Sequence, residues 1–157
     1  MDSNVQKIRK DYRKQELTAG DLPQSPIELL ESWLADAATT DASDYNAMCL
    51  STVDASGAPS SRIVLLRSIT NTGIRFFTNY HSQKGQEIEA NSNVCVNFFW
   101  RDWERQVRIV GTASRCTAEV SDDYFASRPR GSQEGAWTSQ QSAVNVSPKI
   151  EERVQLT

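Results

Sequence analysis

The sequence predicts a mainly β domain with flanking helices, in which five or more antiparallel strands form a small β-barrel. Short runs rich in Val, Ile, Thr and Phe recur along the middle of the chain, with Gly, Pro, Asn and Asp between them. Few segments have helical periodicity, and 157 residues suit one ordinary domain with its own core. We therefore divide the chain into a flexible N-terminal segment, residues 1–24, and one folded domain, residues 25–157.

The first predicted helix begins after Ser25, which suits an N-cap, with Pro26 at the first helical position. Apolar residues then recur at helical spacing. They are Ile27, Leu30, Trp33, Leu34 and Ala37. This pattern predicts an amphipathic helix that packs on another part of the domain.

Three consecutive strands are predicted next, in NAMCLSTV (46–53), SSRIVLLRSI (60–69) and IRFFTN (74–79). The turn residues DASGAP and Asn71 to Gly73 separate them. Because both connections are short, we expect the three strands to form a meander.

A second helix and two further strands follow. Ser82 can cap a helix that extends to about Ala90, and VCVNFFW (94–100) and ERQVRIVGTASR (104–115) flank the polar turn RDWE. Alternation in the last strand predicts two faces, one with Val107 and Ile109 and the other with Gln106 and Arg108.

The C-terminal third predicts a helix in AEVSDDYFASR (118–128) that Pro129 ends, with a loop after it. SPKIEERVQLT (147–157) starts like a helix, with Ser147 as cap and Pro148 in its first turn. It ends after about two turns without a stop signal, so we expect the chain to be cut short there.

Composition excludes several classes of function. The formal charge of −3 argues against a surface dedicated to nucleic acid, and no apolar run approaches the roughly 20 residues of a membrane span. The single histidine, His81, rules out a histidine metal cluster. Cys49, Cys95 and Cys116 lack CxxC spacing, so we expect them to be reduced and buried, and we expect a cytoplasmic location because no export signal is present.

Polar residues near the third helix could hold a phosphate. Tyr124 and Arg128 are four residues apart and share a helix face, and Ser132 lies just beyond Pro129. The alternative is a surface arginine that is favoured by the dipole at the end of its own helix.

Two other segments offer further donors. Ser82 and Lys84 begin a helix directly after a strand, which suits either anion binding or simple capping. Arg62 and Arg67 bracket an apolar stretch and need partners if they are buried; they are either edge residues or groups that hold an anionic ligand. These groups, with Gln106, are donors rather than nucleophiles or metal ligands, which indicates phosphorylated ligands and chemistry supplied by a cofactor.

Five motifs in order closely resemble the pyridoxamine 5′-phosphate oxidase family from about Ile8 onward: SRIVLLR, FFTNYHSQKGQEIEAN, ERQVRIVG, YFASRPRGSQEGAW and QQS. The resemblance implies an FMN-binding split β-barrel that forms a homodimer, with FMN at the subunit interface. It also implies an oxidoreductase of vitamin B6 metabolism. Such an enzyme oxidises pyridoxamine 5′-phosphate or pyridoxine 5′-phosphate with O2 to pyridoxal 5′-phosphate, and releases hydrogen peroxide. In the family the flavin carries out the oxidation, and neither a catalytic side chain nor a metal is implied.

The family pattern, carried onto this chain, implies two sets of site residues. The FMN set is Arg62, Ile63, Val64, Leu65, Leu66, Arg67, Phe77, Thr78, Gln83, Lys84, Gln106, Gln141 and Ser142. The substrate set is Arg9, Tyr12, Arg67, Tyr124, Arg128 and Ser132, with the last three on the substrate phosphate.

The chain departs from the family pattern at several places. Arg67 replaces a usual lysine, which keeps the charge but changes the shape of the cation. Gln83 replaces a usual arginine and so removes a charge. Phe77 replaces a common tyrosine and so removes a hydroxyl. Family members also continue beyond this chain with an RLHDR-like segment, which predicts a fragment, an isoform or a degenerate copy. The alternative function is a catalytically silent FMN or pyridoxal phosphate binding protein. A nicotinamide-dependent flavin reductase is disfavoured by the SRPRGSQEGAW motif.

Overall fold

The computed structural model of the chain describes residue 11, residues 16–138 and residue 141. The predicted roles of Arg9, Tyr12 and Ser142, and the helix predicted after Ser147, lie outside these residues. The flexibility expected for residues 1–24 stays a prediction.

The described residues form four α-helices and six strands. The helices are α1 (Pro26–Thr40), α2 (Gln83–Ala90), α3 (Ala118–Ser127) and α4 (Arg130–Thr138). The strands are β1 (Ala47–Val53), β2 (Pro59–Leu65), β3 (Ser68–Thr70), β4 (Gly73–Arg75), β5 (Asn93–Trp100) and β6 (Arg105–Thr112). Short 3-10 helices span Ala19–Asp21 and Arg101–Trp103.

The strands form two antiparallel sheets, and the predicted meander runs through both. The larger sheet has the order β2-β1-β5-β6, and β3 and β4 form a separate hairpin. The predicted strand 60–69 breaks after Leu65, because the Leu66 N–H donates to the Asn46 carbonyl at 2.9 Å and the Arg67 N–H to the Arg75 carbonyl at 2.9 Å. The consecutive pairings of the meander are confirmed, β1 with β2 and β3 with β4, although its middle strand is divided between the two sheets. The predicted strand 74–79 is regular only as far as Arg75.

The hydrophobic core lies between α1 and the inner face of the larger sheet. Ser25 caps α1 by accepting from the Ile27 N–H at 3.2 Å, and Pro26 occupies the first turn, as predicted. The buried side chains form one cluster. Its members are Leu30, Leu34, Ala37, Met48, Leu50, Leu66, Val96, Phe98 and Trp100. This packing fixes the sheet on which the candidate site is built.

The outer face of the larger sheet is partly apolar and exposed. Ile63 is 66% exposed and Val110 72%. Cys49 pairs with Ile63, and Cys95 pairs with Val110, so both cysteines lie on this face.

Cys49, Cys95 and Cys116 are free thiols, but all are half-buried, which corrects the expectation that they are buried. No helix among the described residues has the length and apolarity to cross a bilayer.

Pro129 separates two helices instead of beginning a loop. The helix α3 ends at Ser127, as the proline predicts. A new helix starts at Arg130, because the Pro129 carbonyl accepts from the Ser132 N–H at 2.9 Å and the Gln133 N–H at 3.1 Å. The loop predicted after Pro129 is therefore wrong, and α4 carries Ser132 next to the end of α3.

Candidate functional site

An open groove of about 1860 Å³ lies between β2, the β3–β4 hairpin, the start of α2, and α3. Most residues that the resemblance assigned to cofactor or substrate line it. They are Arg62, Ile63, Val64, Leu65, Arg67, Phe77, Thr78, Gln83, Lys84, Tyr124, Arg128, Ser132 and Gln141. Segments distant in sequence therefore converge on one groove.

Two of the residues that the resemblance assigned to the cofactor lie outside the groove. Leu66 is buried in the core. Gln106 lies on the outer face of β6, where its side-chain amide donates to Asn97 Oδ1 at 2.8 Å. Neither lines the groove, so their assigned roles stay predictions.

The first turn of α2 closes tightly on the segment before it. Ser82 is fully buried, and its hydroxyl accepts from the Gly85 N–H at 3.4 Å, which confirms the predicted cap. A Cβ on Gly85 would lie 2.2 Å from the Tyr80 carbonyl oxygen, so only glycine fits here without a backbone shift. The N-terminus of α2, with its free N–H groups, is thereby held at the groove.

Lys84 is a buried cation in the groove wall. It is 7% exposed, and within the described part of the chain its ammonium donates one hydrogen bond, to Ser82 Oγ at 3.3 Å. Burial lowers the pKa of Lys84, the nearby Arg62 lowers it further, and Glu87 opposes the change. An ammonium has three donors, so this arrangement fits an additional anion such as a phosphate.

Arg62 is held by a network around the buried carboxylate of Glu87. Its Nη2 donates to Glu87 Oε2 at 2.9 Å, and its Nη1 donates to Thr52 Oγ1 at 2.5 Å. Glu87 also accepts from Thr52, Ser60 and Gln83. Burial alone raises the pKa of Glu87, but these hydrogen bonds outweigh it and lower the pKa to about 2.

Sequence reasoning required a partner for Arg62 without identifying Glu87. The available signal was its spacing, since Glu87 is three residues after Lys84 and therefore shares its face of α2. Gln83 directs its amide to Glu87 Oε1 at 2.7 Å, so this side chain belongs to the same network.

At the other end of the groove, an aromatic stack joins α3 to the segment before α2. The rings of Phe77 and Tyr124 are parallel within 5°, with centroids 3.7 Å apart. The Arg67 guanidinium lies 5.8 Å from the Tyr124 centroid. Arg128 caps the C-terminus of α3 and is half-buried, and Ser132 is exposed. Tyr124, Arg128 and Ser132 are called the clamp below.

A family model described as pyridoxamine 5′-phosphate oxidase matches residues 34–155. Among similar curated proteins, the pyridoxine/pyridoxamine 5′-phosphate oxidases of Actinobacillus pleuropneumoniae (serotype 5b, strain L20) and Thermosynechococcus vestitus are 49% and 45% identical to this chain. Both matches cover 90% of this chain and 67% of the relative. The chain belongs to the pyridoxamine 5′-phosphate oxidase family. Membership confirms the resemblance and the assignment to oxidoreductases with FMN as the cofactor.

Solved structures support the same fold within this family. PhzG from Burkholderia lata 383, crystallised with tetrahydrophenazine-1-carboxylic acid, superposes with a TM-score of 0.78 at 27% identity, over 89% of this chain and 69% of PhzG. A pyridoxamine 5′-phosphate oxidase-related, FMN-binding protein from Nostoc punctiforme has a TM-score of 0.65 at 14% identity, over 87% of this chain and 74% of its own. The predicted split-barrel fold is confirmed.

Proposed function

We propose that the chain binds FMN in the groove and oxidises pyridoxamine 5′-phosphate or pyridoxine 5′-phosphate with O2 to pyridoxal 5′-phosphate, with release of hydrogen peroxide. The observation that carries the proposal is that one groove has two sets of anion-binding groups. One set is Lys84 at the N-terminus of α2, and the other is the clamp. Two phosphorylated ligands, a cofactor and a substrate, account for both.

The cofactor phosphate binds at the α2 end. The buried ammonium of Lys84 and the free N–H groups of the first turn of α2 stabilise its charge. Thr78 and Gln141, whose side-chain oxygens lie 3.4 Å apart, offer polar contacts from two further segments. FMN, when bound, supplies the two-electron oxidation of the substrate and the reaction with O2.

The substrate phosphate binds at the clamp. The Arg128 guanidinium has a planar set of donors that fits phosphate oxygens, and the hydroxyls of Tyr124 and Ser132 add two more donors. Arg67 lines the groove beside Tyr124, so it is placed to contact both ligands. These side chains bind and orient the substrate, while the oxidation itself depends on the cofactor.

The proposal includes a homodimer formed through the outer face of the larger sheet. Ile63, Phe99 and Val110 are 66%, 56% and 72% exposed, which is unusual for large apolar side chains on one face of a single sheet. Sedimentation should give a dimer for the wild-type chain and a monomer for Phe99→Lys. Leu22→Lys, which changes an equally exposed leucine away from the sheet, should remain dimeric. The cytoplasmic location stays a prediction.

The oxidase is tested by anaerobic mixing of the FMN-loaded chain with pyridoxamine 5′-phosphate. The visible flavin absorbance should bleach and return when air is admitted, with formation of peroxide. Pyridoxamine without its phosphate, the matched control, should bleach the flavin only at much higher concentration. A chain that holds FMN but never bleaches would be a silent binding protein, and bleaching by NADH or NADPH alone would indicate a flavin reductase.

A further inference from the structure

We propose that Phe77 is a positioning residue for the substrate: by stacking on Tyr124, it sets the affinity of the clamp for a phosphorylated ligand. The inference rests on the proposed function, because it assumes that the clamp holds the substrate phosphate. It gives Phe77 a role in addition to the cofactor contact that the family pattern implies.

The geometry of the stack carries the inference. With centroids 3.7 Å apart and planes within 5°, the two rings are in van der Waals contact over their faces. No flavin or pyridine ring fits between them, so this face of Phe77 is committed to Tyr124. The contact joins the segment between β4 and α2 to α3, two segments that no strand pairing connects.

The helix α3 depends on such contacts for its position. None of its ten residues is fully buried, so half-buried contacts hold it against the groove. Tyr124 contacts Phe77 on one side, and the Arg67 guanidinium lies 5.8 Å from its ring centroid. A fixed Tyr124 also fixes the helix turn that leads to Arg128, because the two are four residues apart on one face.

Loss of the stack should lower the affinity for a phosphorylated ligand, because part of the binding free energy is then used to order the clamp. Without the Phe77 ring, Tyr124 and the end of α3 have to be ordered when the phosphate arrives. From the usual stabilisation by such aromatic pairs, we expect the affinity of Phe77→Leu for a phosphorylated ligand to fall about two- to tenfold. Phe77→Tyr keeps the ring and should bind like the wild type.

The experiment is equilibrium dialysis of the FMN-loaded chain against pyridoxal 5′-phosphate, with unphosphorylated pyridoxal as the second probe. Phe77→Leu should weaken pyridoxal 5′-phosphate binding about two- to tenfold and leave pyridoxal binding unchanged. In a Tyr124→Leu background, Phe77→Leu should have no further effect, because the stack is already lost. If Phe77→Leu fails to fold, Phe77→Met takes its place in both backgrounds.

Several outcomes would overturn the inference. They are additive effects of the Phe77 and Tyr124 substitutions, equal weakening of both probes, and a loss of FMN affinity with no change for pyridoxal 5′-phosphate. A wild-type chain that binds pyridoxal 5′-phosphate but does not oxidise substrate would refute the oxidase and still report on the stack. A wild-type chain that binds no pyridoxal 5′-phosphate would refute both.

Discussion

At the α2 end of the groove the polar side chains are buried and hydrogen-bonded to one another, whereas at the α3–α4 end they are half-buried or exposed. Ser82, Lys84 and Glu87 are each at most 7% exposed. Arg128 is half-buried, and Ser132 is exposed. Because the α2 end of the groove is part of the core, substitutions there should change folding as well as cofactor binding, whereas substitutions at the clamp should change ligand binding alone.

The largest effect on stability is expected for Glu87→Ala. This change leaves the Arg62 guanidinium, whose side chain is 20% exposed, without its carboxylate. Removal of one partner of a buried ion pair costs about 3–5 kcal/mol, which urea unfolding can measure. Glu89→Ala is the matched control on the same helix, because Glu89 pairs with Arg115 at the surface, where ion pairs contribute about 0–1 kcal/mol. Equal losses in the two variants would show that the network does not anchor α2.

Acid should weaken the domain through the same carboxylate. The pKa of Glu87 is lowered from 4.5 to about 2 in the folded chain, so its stabilisation is complete above about pH 4.5 and is lost as the pH falls toward 2. This difference in the pKa of Glu87 between the unfolded and the folded chain corresponds to about 3 kcal/mol of folding stability.

The measurement is the difference in unfolding free energy between wild type and Glu87→Gln from pH 7 to pH 3. The difference should shrink as the pH falls below about 4.5. Asp21, Asp41 and Asp54, whose pKa values side-chain hydrogen bonds also lower, titrate in both proteins and cancel. A difference independent of pH would mean that Glu87 stabilises the fold by packing rather than by charge.

Local signals in the sequence predicted the elements and the pairing of consecutive strands, but not the pairing of strands distant in sequence. The caps at Ser25 and Ser82 are confirmed because each depends on residues within one helical turn. The pairing of β1 with β5, which the sequence did not predict, joins segments more than 40 residues apart. Nothing in the local pattern specifies which strand lies on the side of β1 opposite to β2.

The same distinction holds at the site. Motif order predicted Lys84 and the clamp, and both line the groove. The Arg62–Glu87 pair links residues 25 apart, and the stack of Phe77 on Tyr124 links segments still farther apart. Such contacts depend on how α2 and α3 pack, which hydrophobic periodicity does not specify.

Lys84→Met should separate stability from cofactor binding. The pKa of Lys84 is lowered mainly by burial, so its charged form is less stable in the folded chain than in the unfolded one. An apolar replacement should therefore raise the melting temperature of the chain without cofactor slightly. FMN affinity, measured by flavin fluorescence, should fall about 10- to 100-fold because a charge-assisted hydrogen bond is lost. Riboflavin, which lacks the phosphate, should bind both proteins equally, and a parallel loss for riboflavin would contradict this assignment.

The smallest effect on stability, and a large one on ligand binding, is expected for Arg128→Ala. Arg128 is half-buried and, within the described residues, forms no ion pair, so the free energy of unfolding should change by no more than about 0.5 kcal/mol. Binding of pyridoxal 5′-phosphate should fall about 10- to 100-fold, because hydrogen bonds to a charged group are lost.

Arg130→Ala is the matched control for this variant. Arg130 is two residues away, its side chain is 92% exposed, and it pairs with Glu134 on α4 instead of lining the groove. Equilibrium dialysis should therefore show wild-type affinity for pyridoxal 5′-phosphate. If both arginine variants lose affinity equally, the clamp acts only by its general positive charge. If neither does, the substrate phosphate binds elsewhere, and the contrast between the two ends of the groove no longer separates cofactor from substrate.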